Sequence, residues 1–181
     1  MTEKITDLDN TFSIQWSFGC RGLLCEEIEA TSPEEVEETI DTIYKENDDI
    51  LQLAILYSYD KTKACHTMEI PEIKWFRKEF LEPIKNNETA HYFDNYCSCD
   101  FEFVSTVVDN QNIHLAIMDK NDDKPILLFE HIISKDEFLQ KMDKIFNEIY
   151  ANIDKLIKDY TTKHNLTEDQ RMELKKRLYE W

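Results

Sequence analysis

Glycine is nearly absent from this chain: two residues in 181, Gly19 and Gly22. A loop that holds a phosphate on backbone amides needs glycine at several set positions. Neither a Gly-x-Gly-x-x-Gly run nor a Gly-Lys-Ser/Thr loop can be written here, which excludes the common nucleotide-binding signatures. Only four prolines occur, so long flexible linkers are not expected. No apolar run approaches the length of a membrane-spanning helix; the longest, near 51–57 and 126–129, are strand-sized. Residues 1–10 are polar and acidic, with no basic segment leading into an apolar one, so no secretory signal is read there. The five cysteines are odd in number and lack the spacing of a disulfide scaffold. The expectation is a cytoplasmic protein with reduced thiols, in which the sequons at Asn87 and Asn165 carry no glycan.

Basic residues are scarce in one part of the chain only. The formal net charge is −17, from 21 Lys/Arg and 38 Asp/Glu. Residues 1–133 hold 11 basic and 28 acidic residues, and residues 134–181 hold ten of each. The excess peaks over 26–49, where eleven acids face one base, Lys45. Such a surface repels nucleic acid and anionic membrane, and it attracts basic partners. An apolar fraction of 41% with 12% aromatics separates the chain from disordered acidic sequences.

The hydrophobic pattern predicts an α+β fold. It has a mainly antiparallel sheet with helices packed on it, a long C-terminal helix and a shorter last helix. The reading is one globular domain over 1–181, an acidic sheet-rich body (1–133) followed by a charge-neutral helical part (134–181). Residues 11–18 alternate as a half-buried strand, 19–22 read as a tight turn, and 23–30 as a second strand. Ser32-Pro33-Glu34-Glu35 opens a helix with a capping box and a buried stripe of Val36, Ile40, Ile43 and Tyr44. Strands are predicted over 50–59 and 64–70, with a turn at 60–63. A short helix over 71–81 should end at Pro83. Residues 84–97 read as a loop anchored by Tyr92, Phe93 and Tyr96. An antiparallel meander follows over 101–108, 112–118 and 125–131. Ser134-Lys135-Asp136-Glu137 and Thr167-Glu168-Asp169-Gln170 cap the two final helices.

No catalytic signature emerges. Cys20, Cys25, Cys65, His66, His91, Cys97 and Cys99 are the zinc-type residues, but their spacing is not that of paired ligands, and no metal or cofactor is expected. Cys20, beside Arg21 and between the two glycines, is the best nucleophile candidate, though its acidic surroundings oppose a thiolate. Asp119, Asn121, Asp123 and Glu130 imitate a calcium loop, yet Lys124 stands where that loop needs glycine. The feature that carries function is the acidic helix. Glu34, Glu37, Glu38, Asp41, Tyr44, Asp48 and Asp49 form a candidate face for a Lys/Arg-rich partner. The competing reading is a solvated helix surface with acids placed well near its N-terminus.

A last strand, Ile126-Leu127-Leu128-Phe129-Glu130-His131, leads into the capped helix containing Phe138-Leu139 and Ile145-Phe146-Asn147-Glu148-Ile149. With the acidity and the lack of catalytic motifs, this profile resembles bacterial immunity proteins that neutralise polymorphic toxins, including those of contact-dependent growth inhibition. The resemblance implies a stoichiometric inhibitor that binds a cognate basic toxin, a nuclease among the candidates, and occludes its active site or nucleic-acid groove. It carries no residue over position by position. Two further classes stand beside it: a small cytosolic enzyme with a cysteine-based site, and a self-associating scaffold or homodimer built on the helix from residue 134.

Overall fold

Two four-stranded antiparallel sheets carry the fold in a computed structural model that describes residues 12–21, 26–46, 49–94, 100–120 and 124–180. The first sheet has β1 (Ser13–Arg21), β2 (Ile28–Ala30), β3 (Gln52–Tyr59) and β4 (Thr62–Glu69) in the order β2-β1-β3-β4. The second has β5 (Ala90–Asp94), β6 (Phe101–Val107), β7 (Asn112–Asp119) and β8 (Ile126–Ser134), in sequence order. The helices are α1 (Pro33–Glu46), α2 (Glu72–Phe76), α3 (Glu82–Lys85), α4 (Lys135–Lys163) and α5 (Glu168–Tyr179). The fold is α+β, with the long C-terminal helix and shorter last helix that the sequence predicts.

Pairing register decides which side chains meet. Ile14, Trp16 and Phe18 lie opposite Tyr57, Ile55 and Leu53, and Ile55 and Tyr57 lie opposite His66 and Ala64. Directly paired residues share a face, so these form the inner face of the first sheet. The second sheet answers with Tyr92, Phe103, Ile117 and Phe129 in one row. The two faces meet through rings: His66 on Phe103 (4.8 Å), Tyr57 on Phe103 (5.9 Å) and Tyr59 on His131 (4.5 Å). Phe76 and Phe80, from the helical segment after β4, close onto Phe103, and α4 adds Phe138 and Phe146. Aromatic pairs of this kind contribute roughly 0.5–1.5 kcal/mol each beyond their burial.

The three helix starts behave as local sequence dictates. The Ser32 hydroxyl accepts from the Glu35 N–H (3.3 Å), and the Glu35 carboxylate accepts the Ser32 N–H (2.9 Å). Thr167 and Gln170 make the same reciprocal pair at α5. At α4, Ser134 accepts from the Glu137 N–H (3.3 Å), but the Glu137 carboxylate turns to Lys141 (2.7 Å).

Several expectations need correction. Residues 19–21 are not a turn but the end of β1, where Gly19 lies opposite Ala30. Its φ of +139° and the approach of β2, whose Glu29 carbonyl oxygen would collide with any Cβ, both require glycine. The second strand is confined to Ile28–Ala30, while Gly22 and Cys25 lie outside the described residues. The β3–β4 turn is two residues, Asp60 and Lys61, with Asp60 at φ 53°.

Pro83 does not end the helix. A π-helical turn, Arg77–Leu81, links α2 to α3 and carries the chain past the proline. The Glu82 N–H bonds back to the Arg77 carbonyl, five residues earlier. That register widens the turn where a proline ring would otherwise strike the carbonyl four residues back. Residues 90–94 are strand β5 rather than loop. Tyr92 is the buried anchor expected there, Phe93 is 45% exposed, and Tyr96 lies outside the described residues. The last strand of the meander is longer than 125–131 and runs directly to the α4 cap.

Candidate partner-binding surface

The acidic helix α1 buries Val36, Ile40 and Ile43 in the core. Its carboxylates then divide into two sets with different surroundings. Glu34 and Glu38 are exposed, as is Asp49 just beyond the helix. Glu37, Asp41 and Tyr44 are half-buried and turn towards the C-terminal helices. Glu37 pairs with Lys163 of α4. Asp41 pairs with Lys45 (2.6 Å) and accepts from the Tyr160 hydroxyl of α4 (2.8 Å). The Tyr44 ring meets Tyr160 edge-on at 5.9 Å. Arg177 of α5 donates to the carbonyls of Ile43 (3.1 Å) and Tyr44 (2.9 Å) at the end of α1. Positive charge here suits the helix C-terminus. Asp48 lies outside the described residues.

The charge-neutral C-terminal part therefore supplies cations to the acidic body: Lys163 and Arg177 hold α1 in place. Three of the seven predicted contact residues have this internal role. Sequence reasoning did not include Glu29 and Glu35, which join Glu38 and Asp49 around a cleft of about 540 Å³ between β2 and α1. Cys20, Thr39 and Thr42 complete much of its wall, and among the described residues no basic side chain lines it. The signal that could have found Glu35 is its place four residues before Thr39 and seven before Thr42, on one helix face.

The charge in this cleft persists at neutral pH. The backbone N–H and hydroxyl of Ser32 hold Glu35 below the ordinary carboxylate range. Asp41, on the helix face turned to α4, is held low by hydrogen bonds from Lys45 and Tyr160. The arrangement offers fixed negative charge and hydrogen-bond acceptors. Lysine and arginine side chains are the groups such acceptors pair with most strongly.

The residues considered for other chemistry are scattered. Cys65 and His66 face opposite sides of β4. Cys65 is buried, and Cys20 Sγ lies 3.8 Å from a Glu29 oxygen, a neighbour that opposes thiolate formation. His91 pairs with Glu102, and His114 with Glu130 (3.1 Å). Cys25, Cys97, Cys99 and residues 121–123 lie outside the described residues. Among the described residues no three His, Cys, Asp or Glu side chains converge to hold a metal ion. No described helix is long and apolar enough to cross a membrane.

One polar cluster sits in the core. His66 is 1% exposed, and neither ring nitrogen has a hydrogen-bond partner among the described residues. Burial pushes its pKa down to about 3, so the ring is neutral. Glu72, also 1% exposed, accepts the Glu69 N–H and shares a hydrogen bond with the buried Asp94. Burial, and then the Asp94 charge, push Glu72 up to about 8. At neutral pH Glu72 is therefore the protonated member and donates to Asp94.

Comparison with protein-family models, curated proteins and solved structures finds no match to this chain.

Proposed function

We propose that this protein is a binding inhibitor, an immunity protein that neutralises a cognate basic toxin by covering its active site or nucleic-acid groove. The observation that supports this reading is the carboxylate-lined cleft between β2 and α1, in whose wall no basic side chain stands among the described residues. A nuclease groove must present Lys and Arg to phosphates. A surface of fixed carboxylates can occupy it and steer the encounter. Glu34, Glu38 and Asp49 remain the contact residues of choice, joined by Glu29 and Glu35. Glu37, Asp41 and Tyr44 contribute through the field and by fixing the helix that carries the others.

The test is a tagged pull-down from the native host at low salt, followed by kinetics on the recovered complex. One basic protein at equal stoichiometry, with association slowed by salt, is the expected result. The paired reversal Glu34→Lys and Glu38→Lys should slow association by about tenfold or more while leaving the fold intact. An unchanged on-rate and salt dependence would remove the acidic face from the binding site. Failure to recover any basic protein would count against the inhibitor reading itself.

A further inference from the structure

A second cleft, of about 620 Å³, lies between the segment following β4 and the faces of α4 and α5. Its charge is the reverse of the molecule's. Lys74, Arg77, Lys78 and Lys175 line it against two carboxylates, Glu82 and Asp154, in a chain of net charge −17. Asp154 is engaged by Lys175 (2.8 Å), and Glu82 by Lys85 (3.3 Å), which is not part of the lining. Lys74 and Lys78 have no ion-pair partner among the described residues; Lys78 rests 5.4 Å above the Trp75 ring. Lys175 and Arg77 each have a carboxylate within ion-pair distance, so Lys74 and Lys78 supply the charge on this wall that no carboxylate among the described residues offsets.

The Arg77 guanidinium lies 5.1 Å from the Phe146 ring and only loosely meets Asp143 (3.6 Å). The Nε and Nη2 atoms are shielded and have no acceptor among the described residues. These two donors have almost no exposed surface and are closed off from the cleft, so Arg77 lends the wall positive charge rather than free donors. Arg77 opens the π-helical turn, and such turns recur at functional sites. The remaining wall is aromatic and apolar. Tyr150 and Tyr179 stand 5.6 Å apart, and the Tyr179 hydroxyl reaches the Tyr150 carbonyl (3.4 Å) and Asp154 (3.3 Å), which fixes the ring. Ile70 and Pro71 add apolar surface.

We propose that this cleft binds a small aromatic molecule carrying a phosphate monoester. Four cations less two carboxylates leave a lining charge of +2. A phosphomonoester carries about −1.5 to −2 at neutral pH, so the match is to a phosphate rather than a single carboxylate. The volume is that of a small-molecule site, and the tyrosines offer a ring-sized apolar wall. Recognition runs through side chains, so the chain's lack of a glycine-rich phosphate loop is no obstacle. The cleft shares no residue with the acidic one, and the inference does not depend on the inhibitor reading.

Titration of the full chain at low salt with AMP and with phenyl phosphate, followed by NMR and calorimetry, tests it. Saturable binding of either ester is expected, with resonance changes centred on Arg77, Tyr150 and Tyr179. Adenosine, which has the ring without the phosphate, should bind at least about tenfold more weakly, the loss of one or two charge-assisted hydrogen bonds. Lys74→Gln with Lys78→Gln should weaken the esters by a similar factor and leave the thermal midpoint unchanged, since neither lysine is in an ion pair. The proposal is overturned if neither ester binds saturably, if adenosine binds as tightly as AMP, or if the double variant binds the esters as the parent does.

Discussion

Replacing Glu72 with glutamine should remove a pH dependence from the folded state. Glu72 is raised from 4.5 to about 8 by burial and by Asp94. A carboxyl with a raised folded pKa stabilises fully below its unfolded value, and that stability is lost as pH rises towards the folded value. His66 has the opposite sign. Its pKa falls from 6.5 to about 3 through burial, so its contribution is complete above 6.5 and lost as pH falls towards 3. Each group contributes a slope of about 1.4 kcal/mol per pH unit inside its own window. Between 4.5 and 6.5 the two slopes cancel. From 6.5 to about 8 only Glu72 acts, and the protein should lose about 2 kcal/mol. Below 4.5 only His66 acts, and stability should fall with acid. Glutamine can accept the Glu69 N–H and donate to Asp94 as the protonated acid does, without ionising. The assay is urea unfolding of the parent and Glu72→Gln across this range, compared at constant m-value. The difference between them isolates Glu72 from the general repulsion of an acidic chain. It should be small at the acid end and should grow with pH, in favour of glutamine, up to about pH 8. A difference that stays flat across this range would refute the reasoning, because Glu72 would then not be held protonated by the fold.

Other substitutions probe the frame around the two clefts. Gly19→Ala should cost about 3 kcal/mol in thermal or chemical unfolding, because a Cβ meets the Glu29 carbonyl at a positive φ. A cost below about 0.5 kcal/mol would show that β2 can withdraw freely. Arg177→Gln removes the donor to two carbonyls at the end of α1 and should cost about 1–3 kcal/mol, with hydrogen exchange rising in α1 and α5 together. Phe103→Ala empties the centre of the ring cluster and should cost about 3–5 kcal/mol by the same measurement. Alkylation of the native protein, read by peptide mass, should modify half-buried Cys20 well before buried Cys65; equal rates would place Cys65 in an opening region of the sheet.

The sequence by itself determined those features whose causes are local. The starts of α1, α4 and α5 depend on a cap and a residue three positions on, and all three caps lie where the sequence puts them. The α1 stripe and strand β6 follow from periodicity that burial obeys, and polar turns mark off β7 and β8, although Ile126, Leu127 and Ile132 of β8 face outwards. Strand β5 was illegible because its polarity is inverted: Asp94 faces the core beside Glu72, while Phe93 faces out. The helix past Pro83 was illegible because a proline signals a break unless the preceding turn widens, and that widening occurs where Phe76 and Phe80 pack on Phe103. The roles of the charges belong to tertiary structure alone. Glu37 and Asp41 look identical in sequence to Glu34 and Glu38. Only the approach of Lys163 and Tyr160, more than a hundred residues away, engages the first pair and leaves the second to solvent. The cationic cleft arises in the same way, where α5 brings Lys175 beside Lys74, Arg77 and Lys78. Composition sets the total charge of a chain, but the sign of the field at any one point depends on which distant side chains the fold places there.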